Sequence, residues 1–297
     1  MTNPSGSIDV PSIDLQEKSV LVTGGSLGIG YAAAEACLRA GARVTICARG
    51  GADLVAAEQA LLALDTAGSV TAIVADVTDE TQVARAMDVA REANGPLDGV
   101  IHAAGIYGPI GLITDVDPRE WANVIQINLF GAFIVLREAC KRMRESGGGR
   151  IALFSGGGAA SPFPNYSGYA CSKAAVVRLT ETAAIEMAPY GIEINCIAPG
   201  FVVTRLHEQT LTNGVAAAGD FFERTKAEIE RGGVPASVGG DAAAFLVSQG
   251  AAGITGKFVA APYDGYRSWS NRIDEVRGGD LFTLRRIVPR DRGGDWQ

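Results

Sequence analysis

Thr23-Gly24-Gly25-Ser26-Leu27-Gly28-Ile29-Gly30 follows the apolar run Lys18–Val22 and opens the helical pattern Ile29–Ala40, which Gly41 ends. A short apolar strand thus runs through a glycine turn straight into a helix. Glycines allow the turn to be tight and let backbone approach a pyrophosphate, while the helix N-terminus offers free N–H groups and positive potential. The spacing Gly24-x-x-x-Gly28-x-Gly30 differs from the G-x-G-x-x-G of other dinucleotide folds. The stretch predicts a strand–turn–helix unit holding a nucleotide through Gly24, Ser26, Leu27, Gly28, Ile29 and Gly30.

The same alternation continues outward. Further strands are predicted at Arg43–Cys47, Val70–Val74, Gly99–Ala103, Arg150–Phe154, Glu193–Ile197 and Lys257–Ala260. Helices are predicted at Ala52–Ala67, Asp79–Asn94, Glu120–Met143, Tyr169–Ala188 and Asp241–Ser248. Near-continuous apolar strands alternating with helices indicate a parallel sheet covered on both faces. The fold class is therefore α/β: a doubly wound parallel sheet in three layers, forming a single domain with no internal repeat. Arg205–Pro235 and Tyr263–Gln297 read as less regular.

Two features carry chemistry. Tyr169 and Lys173 stand four apart in Tyr169-Ala170-Cys171-Ser172-Lys173, so on a helix they share one face. A neighbouring cation stabilises a phenolate and lowers its pKa, which suits general acid/base work. The second predicted strand ends Ile46-Cys47-Ala48-Arg49. An acidic residue at this strand end usually binds the ribose 2′-hydroxyl of NAD, whereas arginine meets the 2′-phosphate of NADP. Ala48 followed by Arg49 favours NADP(H), with NAD(H) left open.

Composition sets bounds on the partners. With 33 acidic against 26 basic residues, the net charge of −7 argues against a general affinity for nucleic acid or anionic membrane. The N-terminal residues Met1–Glu17 lack the apolar core of a signal peptide, and no run approaches 18 uninterrupted apolar residues. The five cysteines are scattered without a C-x-x-C pair, and two distant histidines make no zinc pattern. These features point to a cytoplasmic, metal-free protein with reduced thiols.

Together these segments resemble the short-chain dehydrogenase/reductase family in its compact branch, a Rossmann-like fold, over roughly Lys18 to Asp264. The resemblance divides the chain into an N-terminal extension (1–17), a catalytic domain (18–264) and a C-terminal extension (265–297). It makes Asp76 and Val77 contacts for adenine. Ala103, Ala104 and Gly105 become part of the cofactor loop, and Pro199, Gly200, Val202 and Thr204 the segment beside the nicotinamide. By the same resemblance, Tyr169 exchanges a proton with a carbonyl or alcohol oxygen, and Lys173 holds the nicotinamide ribose. Asn128 links Lys173 to solvent through its backbone carbonyl and a water. The implied activity is interconversion of a carbonyl and a secondary alcohol on a small-molecule substrate, by a homodimer or homotetramer. The family also includes lyases, dehydratases and epimerases that use the nicotinamide transiently, and a non-catalytic nucleotide binder is a third reading.

The chain departs from the family pattern in two places. His102-Ala103-Ala104-Gly105 stands where Asn-Asn-Ala-Gly is usual, with His102 expected as a hydrogen-bonded strand-end residue. The substrate-orienting serine is expected thirteen residues before Tyr169, where this chain has Gly156; Ser155, one residue earlier, is the expected substitute. Family position puts Ile106–Pro109, Pro162–Tyr166 and Phe201–His207 beside the substrate. Their apolar, aromatic character implies a neutral, partly hydrophobic ketone or alcohol. The extension after Gly265 is expected to pack across a neighbouring subunit or over the pocket.

Overall fold

A computed structural model of the chain describes residues 13–64 and 66–295. Seven parallel strands form one sheet in the order β3-β2-β1-β4-β5-β6-β7. They are β1 (Ser19–Thr23), β2 (Arg43–Ala48), β3 (Ser69–Val74), β4 (Gly99–His102), β5 (Gly149–Phe154), β6 (Ile192–Ala198) and β7 (Phe258–Ala260). Every strand lies where the apolar pattern put it, within a residue or two. The chain direction across the sheet reverses between β1 and β4, whose last residues pair as Thr23↔His102. Ligands of such sheets bind outside the carboxyl ends of the strands at this point.

Alternate residues of the central strands feed two separate cores. Val20, Val22, Ile101 and Ala152 face one layer, with α1 (Gly28–Arg39), α2 (Gly51–Leu62) and α9 (Ala236–Leu246). Leu21, Val100, Ile151 and Leu153 face the other, with α3 (Glu80–Asn94), α5 (Gly131–Ser146) and α6 (Ser167–Met187). Full burial stabilises by about 1.5–3 kcal/mol per large aliphatic side chain, so a central strand cannot lose either helical layer cheaply. The helical stretch Pro118–Ser146 is long and apolar enough to cross a membrane, yet 56% of its apolar window is buried inside this fold.

The structure refines three expectations. The long helix is not a regular α-helix throughout: between α4 (Pro118–Ile125) and α5 it passes through a π-helical turn, Gln126–Phe130. That turn carries Asn128, and such bulges re-aim a side chain that a regular helix would point elsewhere. The stretch read as irregular after Arg205 folds into α7 (Arg205–Ala218) and α8 (Asp220–Glu230), with Gly214 at φ 74° kinking α7. Glycines at 214 and 219 obscure the helical period there.

The third concerns the C-terminal extension, which packs on its own chain at the β7 edge rather than over the pocket. Phe258 N–H donates to Phe282 C=O at 2.8 Å, so a carbonyl from the extension satisfies the outermost strand. Trp269 stacks on Phe282 at 4.1 Å, and Lys257 Nζ donates to the carbonyls of Gly279 and Leu281, both at 3.1 Å. Leu284 N–H donates to Glu181 Oε1 on α6 at 2.6 Å. Tyr266, Trp269 and Val276 are buried in the same core as β1, and α10 (Ile273–Arg277) carries the last of them.

The turn that opens α1 depends on how closely α1 can approach α9. A Cβ on Gly240 would lie 2.6 Å from the Ala32 carbonyl oxygen and 3.0 Å from the Ala33 nitrogen, so backbone meets backbone there. Gly240→Ala is expected to destabilise the fold by about 1–3 kcal/mol through overpacking, measured as a lower urea midpoint. An unchanged midpoint would show that α1 and α9 can separate freely.

Candidate active site

The glycine turn is shaped by contact with the loop after β4. A Cβ on Gly24 would stand 2.7 Å from Ala104 N, and one on Gly30 would stand 2.2 Å from the Gly24 carbonyl oxygen. Neither position has room for a side chain. The two loops meet backbone to backbone at the switch point, and no side chain caps the first turn of α1 at Leu27. Thr204 lies over this end of α1, its methyl 3.5 Å from where a Gly28 Cβ would be, and its buried hydroxyl has no hydrogen-bond partner. A helix start without a side-chain cap and a nearby hydroxyl without a partner fit a dinucleotide with a polar carboxamide.

On the outer side of that crevice, Arg49 at the end of β2 is exposed, and its guanidinium lies 4.0 Å from Asp76 Oδ2. Asp76 Oδ1 accepts from Thr78 N–H at 2.9 Å and from the Thr78 hydroxyl at 2.8 Å, so that loop is held locally. Val77 is buried against Gly131, and Val202 is also buried. A second cation, Arg205 at the start of α7, reaches Asp53 on α2 at 3.1 Å. The sequence reading did not single it out; nothing in local spacing joins residues so far apart.

Helix α6 delivers Tyr169, Ser172 and Lys173 together, all buried. Lys173 Nζ donates to the Phe154 carbonyl at the end of β5, at 2.9 Å, and lies 5.7 Å from the centre of the Tyr169 ring. The Asn128 side chain clamps the loop after β4: Oδ1 accepts from Ile106 N–H at 2.8 Å, and Nδ2 donates to Ile106 C=O at 2.9 Å. Nδ2 also reaches Ser172 Oγ at 3.0 Å, tying that loop to α6. Asn128 makes all three bonds from within the π turn.

Burial dominates the protonation of the pair. It pulls Lys173 down to about 8 and pushes the Tyr169 phenol above its ordinary value. The shift of the phenol runs against the lowering expected from a neighbouring cation. Desolvation outweighs the cation, whose nearest polar partner is a backbone carbonyl. His102 is neutral: burial, then the charge of Lys173, lowers it to about 3, and its Nδ1 lies 2.8 Å from Thr23 Oγ1.

The substitute serine is also corrected. Ser155 Oγ donates to the Lys173 carbonyl at 2.9 Å and points into the α6 backbone. The residue that faces the phenol is Gly156, where a Cβ would lie 2.4 Å from Tyr169 Oη. Inserting glycines after Ser155 does not shift the strand end, because Ser155 N–H still donates to Ile197 C=O and continues the β5–β6 ladder.

Around the phenol lies an aromatic cluster. Tyr107 meets Tyr169 edge-on with ring centres 4.7 Å apart, and Phe163 stacks on Tyr166 at 4.3 Å. Phe221 of α8 closes on Phe163 at 4.7 Å. Helix α7 is tied to this wall by three bonds: Gln209 to Gly108 C=O at 2.7 Å, Tyr166 with Thr210 at 2.9 Å, and Tyr107 Oη with His207 Nε2 at 3.1 Å.

A protein-family model described as short chain dehydrogenase matches residues 18–213. The chain belongs to the short-chain dehydrogenase/reductase family and is an NAD(P)-dependent oxidoreductase. Levodione reductase of Leifsonia aquatica is 35% identical over 201 residues, 68% of this chain and 75% of that protein. Among solved structures, an NAD+-bound xylitol dehydrogenase superposes with a TM-score of 0.76 at 27% identity, covering 83% of this chain and 97% of that one. An actinorhodin polyketide ketoreductase with NADPH gives a TM-score of 0.73 at 27% identity, covering 83% and 96%. Relatives therefore hold either nicotinamide cofactor in this fold.

The Asn128 clamp can be tested apart from catalysis. Asn128→Ala leaves the Ile106 N–H and C=O without their partner, at a cost of about 1–3 kcal/mol. A lower urea midpoint is expected, together with weaker binding of the reduced nicotinamide cofactor by fluorescence. Unchanged values of both would remove the clamp from the account.

Proposed function

We propose that the chain is an NADP(H)-dependent reductase of small, neutral, partly hydrophobic ketones, working reversibly on secondary alcohols. The observation that carries this reading is the buried pair on α6, with the Tyr169 hydroxyl beside Gly156 inside an aromatic wall. Gly24, Gly28 and Gly30, with the α1 N-terminus, would hold the pyrophosphate; Asp76 and Val77 would flank the adenine. Pro199, Gly200, Val202 and Thr204 would line the nicotinamide, and Lys173 would hold its ribose. The bound cofactor supplies a hydride to the carbonyl carbon. Tyr169 gives its proton to the carbonyl oxygen, so the product is the alcohol; in the reverse direction the phenolate takes the proton back. The ammonium of Lys173 steadies the phenolate left behind.

The preference for NADP(H) rests on Arg49 and on Ala48 in place of an acid. The substrate class rests on the aromatic wall and on its neighbourhood. A cavity of about 510 Å³ beside Gly108 and Gln209 is lined by Asp115, Asp117 and Glu120 with no cation, which disfavours anionic substrates. Assembly as a homodimer or homotetramer is part of the same reading, supported by Phe133 and Ile185, exposed on neighbouring faces of α5 and α6.

Purified protein is expected to oxidise NADPH with ketones from a panel, and Tyr169→Phe to reduce turnover by at least about 100-fold while still binding cofactor. A Phe variant as active as the parent would refute the assigned role. Ala48→Asp is expected to move the preference toward NADH by about tenfold or more, since one charged contact is worth roughly 1.5–3 kcal/mol. An unchanged ratio of kcat/KM for the two cofactors would sink the phosphate reading.

A further inference from the structure

A carbonyl oxygen has two lone pairs, and charge develops on it as the hydride arrives. One donor sets its distance; a second donor fixes its orientation and shares the charge. The hydroxyls around Tyr169 can be sorted by what they already touch. Gly156 offers none. Ser155 is committed to the Lys173 carbonyl, and Ser172 to the Tyr169 carbonyl at 2.7 Å. Tyr166 is fully buried and bonded to Thr210. Tyr107 is also buried and bonded, but its partner is a histidine, whose ring can act as the donor, and its own ring meets Tyr169 edge-on.

We propose, resting on the ketone-reductase reading above, that Tyr107 is a second catalytic hydroxyl, donating to the substrate oxygen that Tyr169 protonates, with His207 as its positioning residue. His207 is a neutral imidazole: burial lowers it to about 4, so it carries one ring proton at neutral pH. Its bond with Tyr107 runs in either direction with the tautomer; with the ring proton on Nε2, the imidazole donates to Tyr107 Oη. The phenolic O–H is then free to point into the cleft. Burial raises the Tyr107 phenol, so it stays a neutral donor rather than ionising.

His207 lies one turn into α7 and stacks on Phe201 with ring centres 4.0 Å apart. Its position depends on α7 being seated through Gln209 and Thr210. The second donor therefore comes from the loop after β4 and is aligned from α7.

The test compares four variants with the parent in NADPH-dependent ketone reduction, with cofactor binding measured by fluorescence. Tyr107→Phe keeps the ring and removes only the hydroxyl; kcat is expected to fall about 100-fold, as for loss of one oxyanion donor. Its NADPH dissociation constant is expected to stay within about twofold. His207→Phe keeps the stacking on Phe201 and should fall comparably, and the double variant should fall no further, because the two act as one unit. His207→Gln retains an N–H donor and should recover much of the rate. A parental kcat in Tyr107→Phe, or losses that multiply in the double variant, would overturn the proposal. A parental rate in Tyr169→Phe would instead break the ketone-reductase reading and leave the effect of Tyr107 standing, so the two failures are separable.

Discussion

The site is organised around a buried ammonium. Lys173 is withdrawn from water and donates to the Phe154 carbonyl, which fixes α6 against the end of β5. An isolated buried charge is expensive, and burial draws this one down to about 8. The fold tolerates the cost because the same helix face brings Tyr169 to the crevice between β1 and β4. Displacing Lys173 would remove its tie from α6 to the end of β5. It would also free Ser172 from Asn128, and with it the clamp on Ile106.

The glycine turn and the catalytic helix reach each other through the loop after β4. Ala104 abuts Gly24 on one side, while Ile106 is gripped by Asn128 on the other. A single stretch of five residues, Ala103–Tyr107, thus touches the cofactor turn, the π turn and the aromatic wall. The small residues at 103–105 let this backbone come close to the glycine turn, and His102 is absorbed into the sheet end by Thr23. The C-terminal extension works at the opposite end of the sheet, where it satisfies β7 and adds Trp269 to the core.

Much of this was legible in the sequence because its signals are local. Apolar runs of five or six residues bounded by glycine specify the strands, and Tyr169 and Lys173 share a helix face by spacing alone. What spacing could not reveal is which way a side chain turns at a strand end. Ser155 and Gly156 are adjacent, and the ladder bond from Ser155 to Ile197 decides which one meets the phenol. Likewise, Tyr107 and His207 each fell in a segment expected near the substrate. Their bond spans 100 residues and depends on two helices, α7 and α8, whose glycines disguise them as loop. Arg205 and Asp53 are a pair of the same kind.

The most direct test of this account is the protonation of Lys173 itself, followed by nuclear magnetic resonance on isotope-labelled lysine in the cofactor-free protein. The account predicts one resonance titrating near 8, absent from the Lys173→Met variant. Its sign is that of a buried base: the ammonium persists below that value and is lost above it, so folding gains stability as pH rises from about 8 toward the ordinary lysine value of about 10.4. A Lys173 that titrates with the exposed lysines, near 10.4, would contradict it. The amine would then be solvated and free of Phe154, and the geometry that aligns Tyr169 would have no anchor.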